Sequence, residues 1–587
     1  MWKTLLLCQL LPLLLPLLVV ASSGNRRGRL AGAKWWEHAI VYQVYPRSFR
    51  DSDGDGVGDL RGVIERLDHV RSVADCLWLS PIYPSPQRDF GYDVSNFRAV
   101  EPQYGSLEDF DELVRKAKSL GLKVILDFVP NHSSDEHDWF KRSARREEPY
   151  AEFYVWRDAR YSAEGERLPP NNWLSGFGGS AWTWHEERRQ YYYHAFSEHQ
   201  PDLNYRSPRV QLEMMLALKF WLDHGVDGFR VDAINALFED TQFRDEPPSS
   251  ANGSLVEGDD YSSLSHIYTR DLDETYNVVR SWKTMMNHYT KKLKSSQKLA
   301  LMEVFAKLPK VIKYYHVGAE PMNLRMIHQL RNDSRPEEFK VLIEDWMRAK
   351  PKHRAANWVV GNHDIGRTAS RFGYDNNRAD EMSMLAAVLP GMMIVYQGDE
   401  IGMTDARLTY EQTRDPVGCA AGPEGYAKTS RDPQRTPYQW DDTTSAGFSS
   451  NATTWLPVND NYRDLNLRQQ TDYFGGASHY KVFRALAKLK RRRAVQQGTL
   501  RVKVIEEGQV LVVVRELRDE APTLLLISFA DRELRVDVLS KLDVPAEMRI
   551  YVASVKSRLR HRERVDMSRV RLPARASVIF AADRLRS

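Results

Sequence analysis

The sequence is poor in cysteine, in net charge and in long hydrophobic runs, and each shortage excludes something. Three cysteines in 587 residues, one of them (Cys8) inside the leading apolar stretch, leave only Cys76 and Cys419. This rules out a disulfide scaffold. Cys76 sits within CLWLSPIY and reads as a buried free thiol. A net charge of +4 over this length argues against a polyanionic partner such as nucleic acid, and the basic run from Lys488 to Arg493 reads as a solvated helix end. Apart from Leu5 to Val20 no long apolar run exists, and the last residues, Ala581 to Ser587, carry no hydrophobic tail of a lipid-anchor signal.

The leading run follows a single lysine, Lys3, and closes on the small residues Ala21 to Gly24. That is the form of a cleaved secretory signal over residues 1–23, so a secreted, extracellular chain without a stable membrane anchor is expected. An anchored chain is the other reading, and would normally have a longer cytosolic tail ahead of the run. Glycan acceptor triplets at Asn252, Asn332 and Asn451 fit a secreted protein. Asn131 also begins such a triplet but is expected to be buried. With 42% hydrophobic and 28% charged residues the chain is globular and long enough for two to four domains.

What is present is organised around GFRVDAI, Gly228 to Ile234. Its apolar residues read as a buried strand, yet it carries Arg230 and Asp232 at alternate positions, on one face. Similar runs recur with amphipathic stretches between them, starting at Ala39, Cys76, Lys123, Gly228, Leu299, Met322, Ala355 and Met392. Eight near-continuously apolar strands separated by helices predict a (β/α)8 TIM barrel of α/β class. The barrel is expected over residues 34–132 and 200–489. Residues 133–199, rich in Trp and Tyr and too long for a structureless loop, form an inserted subdomain after strand three. Beyond residue 490, runs such as VLVVVREL predict a C-terminal antiparallel β-sandwich over 490–587.

Active sites of such barrels lie at the C-terminal ends of the strands, and there the chain places Tyr92 and Asp93, Asp127 with Asn131 and His132, Arg230 and Asp232, Glu303, and His363 with Asp364. Several separate buried carboxylates would each cost several kcal/mol, about, unless paired, so one shared function is the simpler account. DFVPNH (Asp127 to His132), GFRVDAI, the Glu303 strand and GNHD (Gly361 to Asp364) resemble the ordered signature segments of the α-amylase family of glycoside hydrolases, family 13. VYPRSFRDSDGDGVGDLRGV, QPDLNY (Gln200 to Tyr205) and SRDPQRTPYQW (Ser430 to Trp440) narrow the resemblance to α-glucosidases like the secreted insect maltases, over the whole chain from about Trp35.

The resemblance implies Asp232 as nucleophile, Glu303 as general acid/base and Asp364 as a third carboxylate gripping sugar hydroxyls. Arg230 would keep Asp232 ionised. His132 and His363 would donate to hydroxyls, Tyr92 would stack under the glucose ring, and Asp93 with Arg431 would close the pocket at the non-reducing end. The implied activity is exo-acting retaining hydrolysis of small α-glucosides (maltose, short maltooligosaccharides and sucrose) without an organic cofactor. Ala233, where relatives acting on 1,6 links carry valine, favours α-1,4 links. The rival reading is a non-catalytic glycoprotein resembling transporter heavy subunits, or a binding or receptor role on the same fold.

The loop DSDGDGVGD alternates carboxylates and glycines, so its oxygens can converge on a hard cation, although a solvated acidic turn has the same composition. The resemblance implies a structural Ca²⁺ held by Asp51, Asp53, Asp55, the carbonyl of Val57 and Asp59. Two segments depart from close relatives: QGDE (Gln397 to Glu400), which leaves the role of Asp399 open, and MEVFAK around Glu303, which points to a different acceptor side.

Overall fold

The computed structural model describes residues 34–251, 254–255, 261–373, 377–472 and 476–581. The leading segment read as a secretory signal and the acceptor Asn252 lie outside the described residues. Among those described, no helix is long and apolar enough to cross a membrane. Cys76 is buried and Cys419 exposed, both as free thiols.

Eight parallel strands form the barrel: β1 (Ile40–Val44), β2 (Cys76–Leu79), β3 (Lys123–Phe128), β4 (Gly228–Val231), β5 (Leu299–Met302), β6 (Glu320–Pro321), β7 (Asn357–Val359) and β8 (Met392–Tyr396). The hydrogen-bonded order is β6-β5-β4-β3-β2-β1-β8-β7. Their residues are buried on both faces because helices cover the outside while side chains fill the inside, as continuous apolar runs require. The helix Leu107–Ser119 shows how its sequence sets its limits. Ser106 and Asp109 form a capping box, Glu108 and Asp109 lie in the first turn with Lys116 and Lys118 in the last, and Phe110, Leu113, Val114 and Ala117 face the sheet.

The sixth strand differs from the one expected at Met322. Only Glu320 and Pro321 pair with β5, at Leu301 and Met302, and Arg325–Gln329 is already helical. Pro321 has no N–H to offer, so no ladder can continue from it toward β7. A side chain closes the ring instead. Asn357 accepts from the backbone N–H of Asn323 at 2.7 Å and donates to the carbonyl of Pro321 at 2.7 Å.

After β3 the chain builds a small antiparallel sheet from Trp156–Arg157, Trp182–His185 and Gln190–Tyr193. Trp173, Trp182, Tyr191 and Tyr193 make its own core. Trp173 stacks on Phe243 from the long loop after β4, with ring centroids 5.4 Å apart. Asn172 and Glu246 exchange two hydrogen bonds of 2.9 and 2.8 Å, so insert and loop are clasped together at the barrel mouth.

The C-terminal region holds a six-stranded antiparallel sheet. Alternation decides its layers: Leu511, Val513, Leu525 and Ile527 face the barrel's core, while Val510, Val512, Leu524 and Leu526 face a second layer that includes Leu534–Val536 and Val570–Leu572. The run VLVVVREL is continuous because both faces are covered. The basic run before it is exposed at Lys488, Arg491 and Arg493, as a solvated helix end would be, but not at Lys490 and Arg492. Lys490 is buried and donates to the carbonyls of Ala386 and Leu389, Arg491 pairs with Asp75 and Arg493 with Glu520.

Asn357→Ala leaves a buried N–H and a buried carbonyl unpaired where β6 meets β7. The expected loss is about 2–6 kcal/mol, since each of the two orphaned groups costs about 1–3. Calorimetry of the variant against Asn357→Asp, which keeps the acceptor, checks this; equal melting of Asn357→Ala and the parent would remove the side-chain closure from the stability account.

Candidate active site

Register brings the carboxylates together. Asp127 on β3 lies opposite Arg230 on β4, and Arg230 lies opposite Leu301 on β5. One step further along, Asp232 follows β4 with its N–H on the carbonyl of Phe128 (2.9 Å), and Glu303 follows β5 with its N–H on the carbonyl of Val231 (2.9 Å). Asp232 and Glu303 are therefore level on neighbouring strands, whose spacing is about 4.8 Å.

Arg230 ties them together. Its Nη1 donates to Asp127 Oδ1 and Asp232 Oδ1, each at 2.7 Å, and its Nη2 is ion-paired with Glu303 Oε1. Asp127 also accepts from the Tyr92 hydroxyl at 3.0 Å. The guanidinium is almost wholly shielded from solvent, whereas Asp232 keeps 14% of its side chain open to the pocket. Ala233, immediately after Asp232, lies in the left-handed region at φ 43°, which turns the chain sharply and aims its N–H at Glu303 Oε2, 3.4 Å away.

Burial pushes Glu303 up to about 8, against Arg230 and with Asp232 and Asp364 adding to it. Burial likewise pushes Asp232 up to about 7, opposed by Arg230 and reinforced by Asp127 and Asp364. The two titrate as a pair, and Glu303, the higher, takes the first proton. Once neutral it no longer repels Asp232, which then ionises beside Arg230. The environment thus assigns the proton to Glu303 and the charge to Asp232.

Asp364 is different. Burial opposes its ionisation, but His363, Arg435, Arg431 and Arg230 outweigh burial and hold it well below the ordinary carboxylate range. Arg435 lies closest, at 2.8 Å, with Arg431 at 3.6 Å. Burial pushes His363 down to about 3, so its ring is neutral at physiological pH and the arginines do the holding. Gln43 donates to His363 Nδ1 at 2.8 Å, leaving the ring proton on Nε2, 3.6 Å from Asp364.

These groups floor a pocket of about 390 Å³ that Tyr92, His132, Asp232, Glu303, His363, Asp364 and Arg431 all line. Tyr92 stacks on His363 with centroids 5.3 Å apart and planes 8° apart. His132 is present, but its Nε2 is 3.1 Å from the carbonyl of Tyr92, so its proton is directed into the wall rather than toward a ligand. Asp93 does not reach the pocket. Its carboxylate is buried, accepting from Ser85 Oγ and the N–H groups of Arg88 and Asp89, because the turn after Ser85 needs those donors satisfied. The pocket acid is Asp89, which accepts from Arg431 at 2.8 Å and from Gln200 at 3.1 Å. Arg431 also grips Asp415 at 2.6 Å. Together Asp89, Arg431 and Asp415 form an ion-paired wall.

Asp89, Asp415, Arg435 and the rim residues Phe177, Phe196, Tyr261, Arg270 and Phe305 were not singled out from the sequence. Arg435 lies in the same SRDPQRTPYQW segment as Arg431 and was accessible from it. Tyr261 and Arg270 lie on the irregular loop after β4, which has no periodicity to betray them. In QGDE, Asp399 accepts from the N–H of Tyr396 at 2.9 Å and Glu400 accepts from Tyr42 and Tyr438; both support the barrel rim.

In the acidic loop, Asp51, Asp53 and Asp59 each bring an oxygen within 4.8 Å of the others. Asp55, expected with them, lies outside this trio and accepts from the N–H of Val57 at 2.7 Å, as Asp51 and Asp53 accept from backbone N–H groups of the same loop; burial, with repulsion from Asp53, Asp51 and Asp59, raises its pKa. The trio has the all-oxygen chemistry of a hard-cation site. Asn332 is exposed, while Asn451 donates to the carbonyl of Gly54 at 3.2 Å.

Residues 43–498 match the alpha amylase catalytic domain, and the chain belongs to the α-amylase family of glycoside hydrolases. Among its relatives are maltase 1 of Drosophila virilis, 45% identical over 556 residues (93% of this chain, 86% of the relative), and an alpha-glucosidase of Apis mellifera, 43% identical over 523 residues (89% and 90%). Among solved structures, an alpha-glucosyl transfer enzyme superposes with a TM-score of 0.82 at 34% identity, covering 94% of this chain and all of that one. An isomaltulose synthase mutant from Erwinia rhapontici in complex with sucrose gives 0.80 at 27% identity, covering 94% and 99%.

Replacing Arg230 by Gln leaves three buried carboxylates without their cation, at an expected cost of about 3–5 kcal/mol. Without Arg230 the folded-state pKa values of Asp127, Asp232 and Glu303 rise further above their unfolded values, so the folded variant binds more protons and loses stability as pH rises. Thermal melts of parent and variant should therefore diverge from about pH 4 upward to beyond pH 8; a pH-independent difference would contradict the charge argument.

Proposed function

We propose that the chain is a retaining, exo-acting α-glucosidase that removes terminal non-reducing α-1,4-linked glucose from maltose, short maltooligosaccharides and sucrose. The observation that carries this reading is one guanidinium holding Asp232 and Glu303 level at the floor of one pocket. Retaining hydrolysis needs two carboxyl groups about 5 Å apart, close to the strand spacing here, whereas inversion needs roughly 6.5–9.5 Å. Relatives named maltase and alpha-glucosidase support the same substrate class.

In the first step Asp232 attacks the anomeric carbon while Glu303 gives its proton to the departing glycosidic oxygen, leaving a glucosyl ester on Asp232. In the second, ionised Glu303 takes a proton from water, whose oxygen displaces Asp232 from the same carbon; the configuration is inverted twice and so retained. Asp364, kept ionised by Arg435 and Arg431, accepts from sugar hydroxyls, and Nε2–H of His363 donates beside it. Tyr92 offers its ring to the sugar. The Asp89–Arg431–Asp415 wall closes the far end, which supports removal of one glucose at a time. The small Ala233 beside the nucleophile supports α-1,4 links.

Asp51, Asp53 and Asp59 would hold a structural Ca²⁺, neutralising carboxylates that otherwise repel. The leading segment 1–23 supports secretion, and Asn252, Asn332 and Asn451 would be the glycan acceptors in that setting; Asn332 is exposed, whereas Asn451 would first have to release the carbonyl of Gly54.

Asp232→Asn is expected to lower glucose release from maltose by about 10⁴-fold with unchanged melting; retained turnover would sink the nucleophile assignment. The pH profile of kcat/KM should fall on the alkaline side as Glu303 loses its proton near pH 8, and in Glu303→Gln this limb should vanish from whatever residual rate remains. Chelator should lower the melting temperature while leaving the rate measured in the cold nearly unchanged; identical melts with and without chelator would remove the cation.

A further inference from the structure

The chain's charge is not spread evenly. Residues 549–575 contain nine lysines and arginines against two acids, so this short stretch holds more excess positive charge than the whole protein. A whole-chain net charge hides such segregation, and the expectation of no polyanionic partner rested on it. The stretch folds as a hairpin at the margin of the C-terminal sheet: Glu547–Ala553 pairs with Arg564–Asp566, and the latter is the last strand of its sheet.

Beside this hairpin lies a cleft of about 850 Å³ ringed by Arg558, Arg560, Arg562, Arg564, Arg569 and Arg571, all exposed, against which Glu563 and Asp566 set two negative charges on the same lining. Arg564 pairs with Glu547 and Arg571 with Glu533. Arg558, Arg560 and Arg569 have no ion-pair partner among the described residues. Arg558 and Arg562 stand at φ 59° and 67°, a conformation that disfavours side chains other than those of Asn, Asp and Gly, yet arginine occupies both. Charge on a marginal strand guards against unwanted pairing, but that does not account for cations on the loop positions 558, 560 and 569.

We propose that this cleft binds a sulfated linear polysaccharide, its sulfates gripped by the arginine forks. The cations ringing it are all arginine, whose planar fork fits tetrahedral oxyanions two oxygens at a time. Phe580 is buried in the floor with Ile550 and Val570, so among the described residues lining the cleft no Phe, Tyr or Trp ring is exposed to stack nucleic-acid bases; the exposed ring there is the smaller imidazole of His561. None of the large exposed apolar side chains lies here, so nothing is placed to enter a lipid surface. The site lies on a different sheet from the catalytic pocket and shares no residue with it.

The test uses the full protein and a fluorescent heparin hexasaccharide, with binding read by anisotropy at several salt concentrations. Affinity should fall steeply with salt, and Arg558→Ala/Arg560→Ala/Arg569→Ala should weaken it by about tenfold or more while maltose hydrolysis and melting stay at parental values. Hydrolysis reports folding of the variant independently of the cleft. The proposal is overturned if the variant binds like the parent, if desulfated hexasaccharide binds equally well to the parent, or if duplex oligonucleotide or phosphatidylserine vesicles bind more tightly through the same arginines.

Discussion

One buried cation holds three acids, and the chemistry of the pocket depends on that imbalance. Arg230 contacts Asp127, Asp232 and Glu303 at once. Taking such charges out of water costs several kcal/mol, about, per ion, and mutual contact offsets it only where geometry is good. One positive charge cannot fully compensate three negative ones, so the cluster retains a proton at neutral pH. The barrel decides where that proton resides. Glu303 is the more strongly raised, Asp232 faces the pocket beside the cation, and Asp127 has the Tyr92 hydroxyl as well. Division of labour between two like residues thus follows from their surroundings.

Around this pair the rest of the fold is positioning. The parallel register places both carboxylates at one level without any loop having to find them. The loops then supply what varies: Arg431 and Arg435 from the segment after β8, Asp89 from the turn after β2, Phe177 and Phe196 from the insert. The insert and the loop after β4 are clasped through Trp173, Phe243, Asn172 and Glu246, so the aromatic rim rests on packed rings rather than on free chain.

Much of this was legible in the residues. Apolar runs of strand length with charges at their ends gave seven of the eight staves and the three carboxylates, because burial on both faces leaves a continuous signal. The sixth stave escaped because it is two residues long and ends in proline, with nothing periodic to see. Asp93 and Asp89 were exchanged for a related reason: two acids four residues apart in one turn look alike until hydrogen bonding shows which of them faces inward to Ser85 and its own backbone. The segregated arginines of the C-terminal hairpin were invisible to a summed charge, which averages over distances far longer than the screening length of salt water.

The amide of Asn357 makes the junction of the sixth and seventh staves the most compliant joint of the ring, since two side-chain contacts stand where other junctions have a backbone ladder. Its location is consequential. Glu303 hangs from one side of that joint through the fifth stave, and Asp364 follows the seventh on the other. A displacement at that joint would move Asp364 relative to the pocket floor, whereas the gap between the attacking and protonating groups is set by the backbone ladder of the fourth and fifth staves. The residue that would hold the sugar and the pair that would break its bond thus stand on separately fastened parts of the ring.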